Sequence, residues 1–367
     1  MTAALPLLLR SHPHLTTASA ESRDFQARVG HPAATDPAPC VLVLTRAADR
    51  EIDELSLWLA ARGIALVRLD SDRCADTDVQ WDPFAGLLTR DGRTFRPRVC
   101  WLRYFDVDAL RTAQTTPDAV QHVRDQWQAL VAALAAHPGL HTLNSGARPG
   151  TPDRLTQLAA ARAAGLRVPA TLVTTRLDVA ARALPGPGDL LVKSLGRHCV
   201  EPQPGRLRGV YPQRVTRASL DGEHRTGAPV LVQEYVAADR ELRIHAVGGT
   251  LIGYAVTRPT PESLWTRPES ITVRRCDIPA DVAASLRTLL DRFRLDLAAF
   301  DLLDTPGGPV FLEVNPEFDW RWTEHGAGDT DTTNAVRALI AAATAPAPEE
   351  RTDDPRRRCR VCGAVLA

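Results

Sequence analysis

Asp301 and the run Glu313-Val314-Asn315 lie in two apolar segments, LAAFDLLD (297–304) and PVFLEVN (309–315), joined by a TPGG turn. Both segments read as β-strands. Side chains alternate along a strand, so Glu313 and Asn315 share a face that Val314 does not. A carboxylate on the neighbouring strand, Asp301, converges on them across the ladder. Three hard oxygen ligands, two of them anionic, suit Mg²⁺ held jointly by protein and phosphate, and Mn²⁺ accepts the same donors. Carboxylates in apolar surroundings are costly unless something compensates them. The plainer alternative, strand-end carboxylates facing water, leaves the apolar flanks unexplained.

Lys193 is the one lysine in the chain, every other member of its 44 Lys and Arg residues being arginine. A solvated surface position tolerates arginine, so the position that kept lysine is a candidate for needing a compact ammonium rather than a planar fork. It sits in a strand, LLVKSL (190–195), followed by a loop with glycines at 196, 205 and 209. A strand lysine aimed at phosphates under such a loop can hold a nucleotide while excluding water. The strand VLVQEYV (230–236) then presents Gln233 and Glu234. The backbone of Tyr235 and Val236, with Glu234 as acceptor, would read the amino edge of adenine. Glu241 would accept from ribose hydroxyls. Arg243, on the same strand face, would meet phosphate or a developing acyl-phosphate. Taken singly, each of these is equally an edge-strand salt bridge.

The elements around these residues are those of an α/β protein. Residues 1–39 lack sustained periodicity and read as a mobile N-terminal extension. From residue 40 to 142, VLVLT, a helix over 49–63 and IALVRLD make a βαβ unit. A hairpin turning at Asp91-Gly92, a strand RVCWLRYF (98–105) and a long helix over 118–139 follow. A second unit spans 143–228 and a third 229–345, the latter holding a hairpin that turns at Gly248-Gly249. Residues 346–367 form a charged, proline-rich tail.

Composition bounds the function. The 367 residues are 44% apolar and 24% charged, with Lys+Arg and Asp+Glu both at 44, so no net charge points to nucleic acid. No run reaches the length of a membrane span, and the N-terminal segment lacks the features of a secretory signal. Seven cysteines, mostly single within apolar runs, suit a reducing cytoplasm.

In order, Lys193, Gln233-Glu234-Tyr235-Val236, Glu241-Leu242-Arg243, Ala299-Phe300-Asp301 and Phe311 to Pro316, then Trp320 and Trp322, resemble the ATP-grasp superfamily. Within it the chain is similar to the peptide-maturing ligases that make graspetides, the microviridin-type ester and amide crosslinks. Leu143-Asn144 and the helix around Gln157-Leu158 look like the entry to the central subdomain, and residues 40–142 like the pre-grasp domain. The resemblance implies an ATP-grasp fold with an N-terminal βαβ pre-grasp domain, and a magnesium- and ATP-dependent carboxylate–amine or carboxylate–hydroxyl ligase working through an acyl-phosphate. Lys193 and Arg243 would act in catalysis, and Asp301, Glu313 and Asn315 would hold the metal. Arg154, Lys193, Gln233, Glu234, Tyr235, Val236 and Glu241 would bind the nucleotide. The implied partner is a ribosomally made precursor peptide, or else a free amino acid or small peptide. A nucleotide-binding protein without catalysis is the reading from another class.

Three departures stand out. Arg154 stands where many relatives have a phosphate-contacting lysine. Phe318 and Asp319 replace a usual Gly-Gln pair. The stretch 263–276 lacks the Asp-x-Arg pair that reads a leader peptide in many graspetide ligases. Cys359 and Cys362 make half a zinc knuckle, which two tails meeting in a homodimer, a redox pair or two free thiols would each explain. Arg103 is readable as a cleft residue for a substrate carboxylate or as a structural ion pair. His198 and His245 lie near the phosphate-binding segments, with nothing to assign either a proton-transfer role.

Overall fold

The computed structural model describes residues 10–11, 37–146, 152–196, 199–203, 206–209, 212–220, 222, 224–259, 263 and 268–345. His198, Cys359 and Cys362 fall outside these residues, as does most of the expected N-terminal extension. The described piece of that extension is a two-residue strand, β1 (Arg10–Ser11).

The first layer is the expected βαβ unit: β2 (Ala38–Thr45), α1 (Arg50–Ala60) and β3 (Ala65–Asp70), with β2 and β3 parallel. The sheet adds β4 (Val79–Asp82), β5 (Leu87–Arg90) and β6 (Arg93–Leu102), then, after helix α2 (Pro117–Ala135), β7 (His141–Leu143). Asp91 and Gly92 turn the hairpin with φ of 49° and 75°, the left-handed pair of a type I′ turn. The second hairpin arm and the expected strand over 98–105 prove to be one strand, β6, which ends at Leu102 and runs antiparallel to β5 along its first half and parallel to β7 along its second. With β2 flanked by β3 on one side and β6 on the other, chain order reverses between β2 and β6. In open α/β sheets the carboxyl ends of the strands at such a reversal form a crevice.

The middle of the chain begins with α3 (Arg154–Ala163), capped by Asp153, whose side chain accepts from the amides of Leu155 and Thr156. Next come β8 (Thr171–Arg176), α4 (Leu177–Ala183) and β9 (Leu190–Ser194). The segment read as a plain loop contains β10 (Cys199–Gln203) and β11 (Arg206–Gly209), an antiparallel pair, and β1 adds to the outer edge of β11. Strands β12 (Gln213–Val215) and β13 (Arg225–Glu234) complete a second sheet in the order β12-β9-β13-β8.

The third sheet runs β16-β15-β14-β17-β18, all neighbours antiparallel. Its strands are β14 (Arg240–Val247), β15 (Thr250–Thr257), β16 (Thr272–Cys276), β17 (Leu297–Asp304) and β18 (Val310–Asn315), with α5 (Ala280–Phe293) preceding β17. The expected turn at Gly248-Gly249 joins β14 to β15. Helices α6 (Arg321–Ala327), which sequence periodicity did not reveal, and α7 (Asp331–Thr344) close the chain.

Two packing facts redraw the expected boundaries. Strand β13, assigned above to the unit beginning at residue 229, belongs to the central sheet, so the change of lobe falls between Glu234 and Arg240. Helix α3 packs Leu158 and Ala161 with α5 and the inner face of β14, β17 and β18. It therefore sits with the C-terminal lobe although the chain places it in the central unit.

Asn144 fastens the first layer to the third. At φ 53° and 4% exposed, it donates from Nδ2 to the carbonyls of Leu297 (2.8 Å) and Pro316 (3.1 Å). Its Oδ1 accepts from the amides of Asp296 and Leu297, both at 2.8 Å. Truncation orphans all four buried backbone groups, so Asn144→Ala is expected to cost about 3 kcal/mol, measured by urea unfolding.

Candidate functional site

The site is a cross-strand row. Arg243 on β14 stands opposite Asp301 on β17, which stands opposite Glu313 on β18, so the three share one face of the sheet. On the other face Leu242, Ile244, Phe300, Leu302, Phe311 and Val314 pack under α3 and α5. Register slips just past the row, so that Leu302 faces Phe311 and Leu312 is the extra residue of a β-bulge. Bulges commonly re-aim side chains beside functional sites.

Arg243 Nη1 donates to both Asp301 oxygens at 2.8 Å. Asn315 Nδ2 donates to Asp301 Oδ2 at 2.9 Å and lies 3.4 Å from Glu313 Oε1. Arg154 Nη2 is 2.9 Å from Glu313 Oε2. All three proposed metal ligands therefore meet, as the alternation along β18 required. Burial pushes the Asp301 carboxyl above the ordinary carboxylate range, and the charge of Glu313 adds to this; Arg243 works against both. A divalent cation would supply the compensation that favours two ionised carboxylates so close together. Among the described residues no three His, Cys, Asp or Glu side chains cluster as a metal site. Two carboxylates and an amide leave most of the six positions of Mg²⁺ to other oxygens, which fits a metal shared with phosphates. A half-turn of the Asn315 amide would bring Oδ1 to such a cation.

The backbone of β18 is fixed from outside its sheet. As an edge strand it would expose unpaired amides. Gln157 Oε1 accepts from the Val314 amide at 2.9 Å, and the Arg167 carbonyl accepts from that of Phe311 at 2.8 Å.

Across from the row, Lys193 shares a face of the central sheet with Leu231 and Gln233, while Leu190, Val192, Val230 and Val232 pack with α4. Burial lowers the Lys193 pKa, Glu313 pulls it back up, and Arg154 pushes it down. Glu241 precedes Arg243 by two residues, pairs with Arg258, and is raised by burial. Arg258 is a residue that sequence reading passed over; it follows β15 and carried no pattern of its own.

The expected adenine-reading stretch is largely committed elsewhere. Gln233 is buried and its Nε2 donates to Thr171 Oγ1 at 2.9 Å. Glu234 accepts from the Ala170 amide through Oε1 and donates its own amide to the Ala170 carbonyl, each at 3.0 Å. The Tyr235 amide donates to the Asp189 carbonyl at 2.9 Å, and its ring packs under the Arg214 guanidinium. Gln233 Nε2 and the Tyr235 amide thus tie β13 to the segments beside it.

Arg103 resolves to the structural alternative. It is 1% exposed, donates from Nε to Asp49 Oδ2 at 3.0 Å and from Nη1 to the Phe318 carbonyl at 2.9 Å, and packs against the rings of Trp101, Tyr104 and Trp320. It anchors the turn that follows β18. His245 is likewise a core residue, with Nδ1 2.9 Å from Thr332 Oγ1 and its pKa well below the ordinary value through burial.

No protein-family model matches this sequence, and no curated protein does. Solved structures do match. The macrocyclase MdnC of Microcystis aeruginosa MRC, solved with precursor peptide MdnA, superposes with a TM-score of 0.66 at 20% identity, covering 82% of this chain and 99% of its own. A RiPP-associated ATP-grasp ligase of Chryseobacterium gregarium, solved with ADP and a leader and core peptide, gives 0.67 at 18% identity, with coverages of 84% and 98%. The ATP-grasp ligase PsnB with its minimal precursor gives 0.69 at 19% identity, with 84% and 99%. The fold is that of the ATP-grasp ligases. The expected α/β ATP-grasp architecture, with an N-terminal βαβ layer, is borne out, and Glu313, Glu241 and Asp301 on the C-terminal sheet lie near enough to Lys193 on the central sheet to act on its charge.

Glu51 belongs to the Arg103 cluster and makes it pH-sensitive. Its carboxyl is pushed up to about 9, first by burial and next by a hydrogen bond with Asp319. Between the ordinary value of 4.5 and about 9 the folded chain therefore holds a proton that the unfolded chain releases, and stability falls as pH rises through that window. Glu51→Gln is expected to flatten the dependence and raise the melting temperature at pH 8, read by thermal melts across pH.

Proposed function

We propose that this chain is an ADP-forming, magnesium-dependent ligase that joins a carboxylate to an amine or hydroxyl of a precursor peptide. The supporting observation is the row Arg243–Asp301–Glu313, with Asn315 beside it and Lys193 on the facing lobe of an ATP-grasp fold. The solved relatives carry ADP, magnesium and precursor peptides according to their descriptions, which favours the same substrates here.

In this reading ATP is a substrate. A substrate carboxylate oxygen attacks its γ-phosphorus and ADP departs. An amine or hydroxyl then attacks the acyl-phosphate carbon, expelling phosphate and losing a proton to solvent. Phosphoryl transfer asks mainly for positioning and charge neutralisation. Lys193 supplies a compact cation from the central lobe, and Arg154 and Arg243 supply forks from the C-terminal lobe. Mg²⁺, with Mn²⁺ as substitute, would neutralise phosphate charge from Asp301, Glu313 and Asn315. Val236 and the backbone carbonyls of the 234–236 stretch take the adenine edge, and Glu241 the ribose.

The proposed setting is the cytoplasm. Cys40, Cys74, Cys100 and Cys276 are all free thiols, and no described helix is long and apolar enough to cross a membrane.

ADP release in the presence of magnesium and acceptor tests the site. Lys193→Ala and Glu313→Ala are each expected to lower turnover by about a hundredfold or more while the chain stays folded. Lys193→Arg should fare little better than alanine, because a planar fork does not fit a site shaped for an ammonium. Turnover unchanged in both alanine variants would sink the assignment. Mass spectrometry of a co-expressed precursor encoded nearby, rich in Ser/Thr and Asp/Glu, should show loss of one water per bond formed. An unmodified precursor, with ADP release driven instead by free amino acids, would replace the peptide with a small acceptor.

A further inference from the structure

Arg154 touches both grasping lobes at once. As the first residue of α3 it is held by the Asp153 cap and by packing of α3 into the C-terminal core. From there Nη2 reaches Glu313 Oε2 at 2.9 Å, and Nη1 donates to the carbonyl of Ser194 at 3.1 Å. Ser194 is the residue after Lys193, at the end of β9 in the central sheet. One rigid fork can make both bonds in a plane, whereas an ammonium is a single point donor on a flexible stem.

The consequence for a metal follows from charge. Each anionic ligand already carries a guanidinium: Asp301 has Arg243 and Glu313 has Arg154. The Arg154–Glu313 pair is partly shielded, at 18% and 27% side-chain exposure, so the attraction is stronger than between fully solvated groups. A divalent cation arriving alone must break that pair and then sit beside the displaced guanidinium. A polyphosphate removes the obstacle, because its oxygens offer Arg154 a bidentate partner of higher charge.

We propose that Arg154 is an interlobe latch: it ties Glu313 to the Ser194 carbonyl and closes the metal site until a nucleotide polyphosphate draws the guanidinium away. The inference rests on the metal assignment of the preceding subsection. Metal and nucleotide binding become coupled through the protein as well as by direct contact with each other.

Binding of Mn²⁺ to the full-length chain, followed by the electron paramagnetic resonance signal of the free ion, tests the latch without any turnover. Without nucleotide, Arg154→Ala should bind Mn²⁺ about tenfold more tightly than wild type, and the further gain on adding ADP should shrink by a similar factor. Without nucleotide, Arg154→Lys should fall between wild type and alanine, since an ammonium keeps its charge beside Glu313 but does not also hold the Ser194 carbonyl. Arg154→Gln repeats the measurement with a longer neutral side chain should the alanine variant prove unfolded by circular dichroism. Wild type binding Mn²⁺ alone as tightly as these variants overturns the latch. Adding Glu313→Gln to Arg154→Ala should abolish the gain; a gain that persists would locate the ion elsewhere and overturn the metal assignment itself.

Discussion

A carboxylate between two charged neighbours on a sheet face is the constraint around which this molecule is organised. Asp301 has Arg243 on one side and Glu313 on the other because antiparallel register makes cross-strand partners share a face. The pairing with Arg243 offsets the cost of burial, and removing that partner would strand a buried charge, the situation most damaging to a folded chain. The row cannot be moved by one residue without swapping it with Leu242 and Leu302, which the core beneath requires. Register, core and chemistry are therefore one specification.

The grip on this row comes from outside the sheet that carries it. Gln157 and the Arg167 backbone occupy the free edge of β18, Asn144 holds the carbonyl of Pro316, and Arg103 holds that of Phe318. The last two reach in from the pre-grasp layer. A loop following Asn315 would otherwise be free to shift Glu313 and Asn315, the proposed metal ligands, and positioning is most of what the proposed phosphoryl transfer would ask of the protein. The first layer thus contributes two side chains that hold backbone carbonyls of this loop.

What was legible in the sequence follows the strength of local pattern. Period-two alternation in FLEVN and the apolar run around Asp301 were enough to bring Asp301, Glu313 and Asn315 together, and the Asp91-Gly92 and Gly248-Gly249 turns announced themselves through residues that tolerate positive φ. Long-range choices were not legible. Nothing local says that β13 pairs with β9 rather than with the C-terminal sheet, or that α3 packs away from the unit preceding it. The bonds of Gln233 Nε2 and the Tyr235 amide to neighbouring segments were invisible for a related reason: a polar pair on an apolar strand looks the same whether its partner is a ligand or a nearby residue. Arg103 was undecided in sequence because its partners, Asp49 and the Phe318 carbonyl, lie 54 and 215 residues away.

The division of labour between the cations explains the composition. Arg68, Arg103 and Arg154 each bridge two or more partners, carboxylates or backbone carbonyls, with a planar fork, while Arg176 and Arg243 each engage both oxygens of one carboxylate. A guanidinium keeps its charge under burial and locks geometry, which is what joining strands or lobes requires. Lys193 lies on the facing lobe, where burial lowers its pKa and Glu313, Glu241 and Asp301 restrain the fall. A half-buried ammonium there retains three donors that rotate to meet a ligand whose oxygens would change position during reaction. A chain that uses arginine at every other basic position thus keeps lysine where a fixed fork would be a handicap, so the single lysine follows from the same physics that makes Arg154 suited to bind two partners at once.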